Sequence, residues 1–155
     1  MNLPSLRRPA AALPRMLLAS LALGLCSLAT AQAQAPDDSL YQTWGGKAGI
    51  HAVMEDFVGR LVADPRTGPF FAKANRPHLT EQLTEQLCER AGGPCHYRGP
   101  SMEEAHASMD IGRADFNALV EVLQQTMRAH DIPFEAQNRM LARLAPMHRD
   151  IINQE

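Results

Sequence analysis

Four apolar stripes, spaced three and four residues apart and each cut off by a glycine or proline break, constrain this chain more than any other feature. Ile50, Val53, Met54, Phe57, Val58, Leu61 and Val62 share one helical face that ends at Asp64-Pro65. Side chains at that spacing line one side of a helix, and the residue before a proline leaves the helical region. Leu79, Leu83 and Leu87 repeat every four residues after Pro77, up to Gly92-Gly93-Pro94. Phe116, Leu119, Val120, Leu123 and Met127 form a third stripe between Gly112 and Asp131. The fourth is Met140, Leu141, Leu144, Met147 and Ile151; Pro133 suits its first turn, and Pro146 is expected to kink it. No segment sustains a period of two. The expected fold is therefore all-α, with about four sizeable helices and two short ones joined by glycine-rich corners.

The N-terminal 33 residues read as an export signal. Arg7, Arg8 and Arg15 precede the apolar stretch Met16 to Ala31, and Ala29-Thr30-Ala31 and Ala31-Gln32-Ala33 offer small-x-small cleavage sites. An uncleaved anchor is the rival reading of the same stretch. The expected division is a signal peptide over 1–33, a flexible tail over 34–38 and one domain over 39–155. The expected location is the periplasm or the outside of the cell, with no membrane insertion after cleavage. Loss of the three arginines takes the formal charge from −2 to −5, which argues against nucleic acid or an anionic membrane as partner. Cys88 and Cys95 remain. In an oxidising compartment the simplest reading of that pair is a disulfide, worth roughly 2–3 kcal/mol by loop entropy. Two free thiols, or a metal pair with His96, are the alternatives.

The stretch from Leu87 to Phe116 carries the chemistry. It sets His106 on a short helical turn between a Gly-Pro-Cys loop and a long amphipathic helix. A neutral imidazole held that way can bind a haem iron, because a neighbouring carbonyl can fix its other ring nitrogen. No Cys-x-x-Cys-His occurs, which excludes haem attachment of the cytochrome c type.

In order along the chain come Leu40-Tyr41, Gly45-Gly46, Glu55-Asp56-Phe57, Ala63-Asp64-Pro65 and Pro69-Phe70-Phe71. Then follow Gly92-Gly93-Pro94, Tyr97, Gly99, Met102, Ala105-His106, Ile111, Phe116, Pro133 and Leu144-Ala145-Pro146. With these markers, residues Ser39 to Ile152 resemble a group I truncated haemoglobin, a short globin whose helices pack two-over-two around haem. The resemblance implies haem b (iron protoporphyrin IX) as cofactor, His106 as the proximal iron ligand, and Phe71 against the haem face with Phe70 beside it. Met102 and Phe116 are then pocket wall. Members of this group often carry a tyrosine directly after the helix phenylalanine and a glutamine on the distal helix; here those positions are Val58 and Leu83, with Leu79 one turn earlier. The usual distal hydrogen-bond pair is absent. Gln82 and Gln86 are candidates to substitute for it, and His78 is a candidate sixth ligand. His148 falls near where some relatives have a histidine that reaches the haem edge.

The function implied is reversible binding of a diatomic gas, oxygen, nitric oxide or carbon monoxide, at iron held by His106. Oxidation of nitric oxide, peroxide turnover and electron transfer are alternatives within that reading. The first two need an external electron donor, and peroxide chemistry favours a distal acid–base group that the sequence does not supply. From a different class, a haem-free helical interaction module would purify colourless and stay folded.

Overall fold

All regular structure among the described residues, 37–154 of the computed structural model, is helical. The export signal and most of the tail expected over 34–38 lie outside those residues. Of the tail, Asp37 accepts hydrogen bonds from the Ser39 backbone and from Arg139, and Asp38 precedes the short helix α1 (Ser39–Thr43). The chain then turns through Gly45 and Gly46, both at positive φ (77° and 67°). A β-carbon is strained in that conformation, so glycine is required there. Helix α2 (Gly46–Ala63) follows and stops at Asp64, whose backbone is extended ahead of Pro65 as the sequence predicts.

The corner after α2 is fastened by side chains. Thr67 Oγ1 donates to the Leu61 carbonyl at 2.7 Å, and Arg66 joins Asp64 to Glu121 on a later helix. Hydrogen bonds from Arg66, side chain first and then backbone, hold the Asp64 carboxyl below its ordinary value. The corner delivers Phe70 and Phe71 on the single turn α3 (Gly68–Phe71).

Helix α4 (Arg76–Arg90) is capped by Asn75, whose side chain accepts from the His78 backbone N–H. Its leucine stripe is only partly core. Leu87 is buried, but Leu79 and Leu83 are only half-buried; the closed face is made by Thr80, Thr84 and Cys88. This face repeats every four residues, as the leucines do, and α4 packs chiefly on α2. Threonine is small enough for close helix approach, and Thr84 satisfies its own hydroxyl on the Thr80 carbonyl at 2.7 Å. The apolar count marks the leucines, while the packing uses the smaller residues between them.

After α4, Cys88 and Cys95 are paired with their Cα atoms 5.7 Å apart, and both are buried. A side chain at Gly93 would run into the Tyr41 ring and Cys88 Sγ, so the Gly-Gly corner lets the loop close over the sulfurs. Helix α5 (Met102–His106) is one short turn, and α6 (Arg113–Ala129) and α7 (Phe134–Leu144) complete the second half. Ala118, Val122 and Met127 of α6 and Ala136 and Met140 of α7 are buried with Ile50, Met54 and Leu61 of α2. Pro133 stands just ahead of the first residue of α7. At Pro146 the last helix breaks into a 3-10 turn (Ala145–Met147) before α8 (His148–Ile151), the kink that the proline predicts.

Reducing the Cys88–Cys95 pair should lower the melting temperature by roughly 10 °C, from a loop-closure contribution of about 2–3 kcal/mol. Superimposable melting curves with and without reductant would mean that the two sulfurs are not bridged in solution.

Candidate functional site

Five residues make a helix too short to persist alone, and α5 is held by specific bonds. Ser101 Oγ accepts from the Glu104 backbone N–H at 3.2 Å, while the Glu104 carboxylate accepts from the Ser101 backbone and hydroxyl, each at 2.9 Å. This capping box closes the N-terminus. Those bonds from Ser101, the backbone one first, hold the Glu104 carboxyl below its usual value.

At the other end of α5, His106 Nδ1 donates to the Met102 carbonyl at 2.7 Å. A carbonyl only accepts, so the proton of a neutral imidazole here sits on Nδ1 and the lone pair on Nε2. The half-buried ring lines a cavity of about 570 Å³. That is within the range of small-molecule and cofactor pockets.

The cavity is walled mainly by apolar side chains. Met54, Phe57 and Leu61 come from α2, Phe70 and Phe71 from α3, and Leu79, Gln82, Leu83 and Gln86 from α4. Met102 flanks His106 on α5; Phe116 and Leu119 of α6 and Leu141 and Leu144 of α7 complete the far side. A smaller space, about 60 Å³, lies beside His106 between Phe71, Ile111 and Phe116.

Two residues expected at the site are elsewhere. Val58 is buried at 2 % exposure but is not in the lining. At 100° per residue, Met54, Phe57 and Leu61 share the cavity face of α2 and Val58 falls to its side. His78 is exposed at the start of α4 and does not line the cavity. His148 is also outside the lining; its ring meets Phe116 edge-to-face at 5.1 Å.

The polar atoms facing this space are few. Gln86 is buried and its amide donates to Met102 Sδ at 3.4 Å, which ties α4 to α5. Gln82 Oε1 is buried with no hydrogen-bond partner. Tyr97, which sequence reasoning took only as a family marker, lines the cavity and donates its hydroxyl to the Pro100 carbonyl at 2.9 Å. Burial pushes its phenol up from the ordinary value. Its one signal in the sequence was an aromatic ring close to His106 among few aromatics.

Among the described residues no group of three His, Cys, Asp or Glu side chains could hold a metal ion. One imidazole does not hold a bare ion in place, so a metal bound at His106 would need to come within a larger group that supplies its other ligands. A flat macrocycle needs apolar walls, one free imidazole nitrogen and a few polar atoms. These residues fit such a group.

Comparisons with known proteins agree. The family model described as bacterial-like globin matches residues 39–153. A group 1 truncated hemoglobin of Tetrahymena thermophila is 33% identical over 90 residues, 58% of this chain and 74% of that one. One from Mycolicibacterium paratuberculosis is 28% identical over 117 residues, 76% of this chain and 86% of that one. The crystal structure of Tetrahymena pyriformis truncated hemoglobin, Fe(III) form, superposes with a TM-score of 0.70 at 29% identity, covering 73% of this chain and 97% of that one. The 2/2 hemoglobin of a Synechococcus, crystallised with covalently attached heme, shares the fold with a TM-score of 0.69 at 22% identity, over 74% of this chain and 98% of that one.

The orphaned Gln82 oxygen gives a stability test. A buried acceptor without a partner costs about 1–3 kcal/mol, so Gln82→Met should raise the melting temperature of the ligand-free domain by a few degrees. A clear fall would show that the amide oxygen has a partner in solution.

Proposed function

The chain belongs to the bacterial-like globins, in the truncated haemoglobin group, and from that premise we propose that it binds haem b through His106 and takes up a diatomic gas beside an apolar distal wall. Membership of this family implies haem and gas binding in themselves. The particular ligand, the residues and the character of the pocket are our reading. It is carried by one observation: the hydrogen bond from His106 Nδ1 to the Met102 carbonyl, which leaves Nε2 free in the lining of an apolar cavity.

The chemistry haem supplies there is an open coordination position on iron for oxygen, nitric oxide or carbon monoxide. The chain's own residues do the rest. The Met102 carbonyl fixes the tautomer and orientation of the imidazole and raises its basicity. Phe70 and Phe71 offer flat apolar contact. Leu79 and Leu83 exclude water and provide no hydrogen-bond donor. A hydrogen bond to a polarised, charge-bearing ligand is worth roughly 1.5–3 kcal/mol. Its absence leaves oxygen bound about ten- to a hundredfold less tightly, which suits gas exchange or sensing better than storage. Gln82 lines the cavity from α4 and is the polar side chain there that can modify that, through its amide N–H2, since its buried oxygen accepts and cannot donate. The exported location and the Cys88–Cys95 disulfide are part of the same proposal, because a buried cysteine pair suits an oxidising compartment.

The absorption spectrum of the purified domain tests this reading. A haem band that shifts when carbon monoxide is added to the ferrous protein is expected, and His106→Ala should lose stable haem. A colourless, folded protein that ignores added haemin would sink the proposal and favour a helical interaction module. A normal haem spectrum in His106→Ala would overturn the ligand assignment. Leu83→Gln should slow oxygen dissociation about tenfold by supplying one donor; an unchanged rate would mean that Leu83 does not face the bound gas.

A further inference from the structure

The kink at Pro146 sends the end of the chain, α8 and the residues after it, across α5. There Asn153 makes three hydrogen bonds, all to the backbone of the segment that follows the imidazole. Its side-chain Nδ2 donates to the His106 carbonyl at 2.8 Å, and its Oδ1 accepts from the Ile111 N–H at 2.7 Å. Its backbone N–H donates to the Ile111 carbonyl at 3.1 Å, an acceptor that it shares with the Gln154 N–H. Ile111 needs these partners, while the exposed His106 carbonyl accepts from the Met109 N–H at 3.1 Å as well as from Asn153. Asp110 turns the chain at φ +50°, so no helix continues from α5, and Ile111 is buried with its backbone groups outside any regular element. Unmatched buried backbone groups are costly. A short planar amide can donate from its nitrogen and accept at its oxygen at two separate points at once.

We propose that Asn153 is a positioning residue for the iron ligand: it clamps the peptide of His106 from the C-terminal side, as the Ser101–Glu104 capping box holds α5 from the N-terminal side. The inference rests on His106 holding haem iron. The imidazole is then fixed at three points, the capping box, the bond from Nδ1 to Met102, and the amide of Asn153. Only the last comes from a distant part of the chain, 47 residues on. The C-terminal segment thereby becomes part of the proximal side of the site.

The experiment compares Asn153→Asp, Asn153→Ala and the control Gln154→Ala in the full haem-loaded domain. Two quantities are read: the rate of haem loss to an excess of a haem-scavenging protein, and the iron–histidine stretching band of the ferrous form in resonance Raman. Asn153→Asp keeps the acceptor for Ile111 but replaces the donor to His106 with a carboxylate oxygen. Both Asn153 variants should lose haem about five- to tenfold faster, the effect of one hydrogen bond, and should shift or broaden the iron–histidine band. Gln154→Ala should do neither, because its bond to Ile111 is made by the backbone. Faster haem loss with an unmoved band would assign Asn153 a purely structural role and overturn the proposal. So would an Asn153→Asp variant that matches the parent in both readouts. A parent domain that takes up no haem would instead overturn the globin reading on which this inference stands.

Discussion

The bond from His106 Nδ1 to the Met102 carbonyl is the interaction on which the rest of the site depends. It decides which ring nitrogen carries the proton, and so which one can act as a ligand. It is an intrahelical contact in a helix of five residues, and a helix that short persists only where other parts of the chain hold it. The capping box at Ser101, the Gln86 amide on Met102 Sδ, and Asn153 on the His106 carbonyl supply that support from three directions. Met102 is the common point: its carbonyl orients the imidazole while its sulfur accepts the Gln86 amide of α4. The two sides of the cavity are thereby coupled through one residue.

The four larger helices bound this cavity as well as burying one another. On α4 the leucines face the opening and the threonines face the core. On α6, Phe116 and Leu119 line the cavity while Ala118 and Val122 are closed off. These two helices thus present a smaller closed face and a larger cavity face, whereas on α2 the large Met54, Phe57 and Leu61 serve core and cavity together. Small residues allow close packing on one side, and large ones leave a wide apolar slot on the other. A slot of that kind offers dispersion contact to a flat ligand and little hydrogen bonding, so the polar side chains in its lining besides His106, namely Gln82, Gln86, Tyr97 and Asn117, have disproportionate weight in deciding what binds.

Much of this was legible in the sequence because the signals are local. The breaks at Pro65, Gly92-Gly93 and Pro146 act through φ restriction and the loss of a helical hydrogen bond, and they fall where the helices end or change. The Leu79, Leu83, Phe70, Phe71, Met102, Phe116 and His106 set was readable from apolar spacing and from the resemblance to truncated haemoglobins, and these residues meet at one cavity. Val58 was harder. Its place in the chain matches a pocket residue of relatives, but one step along a helix is 100°, and the packing of α2 turns Phe57 to the cavity instead. His78 has the chemistry of a ligand, yet it stands in the first turn of α4 and is exposed there.

By itself, then, the sequence determined the helical class, the breaks between helices and the apolar stripes, and it singled out His106 as the candidate to hold iron. All of these follow from backbone sterics and side-chain period acting over a few residues. Only the tertiary structure decided which face of each stripe meets the core and which meets the cavity, since that depends on how closely α2 and α4 approach over Thr80 and Thr84. It also decided that Asn153, which no local pattern singles out, reaches the His106 carbonyl. A contact across 47 residues has no period or motif to announce it, because the chain end reaches α5 only once the helices between them have packed.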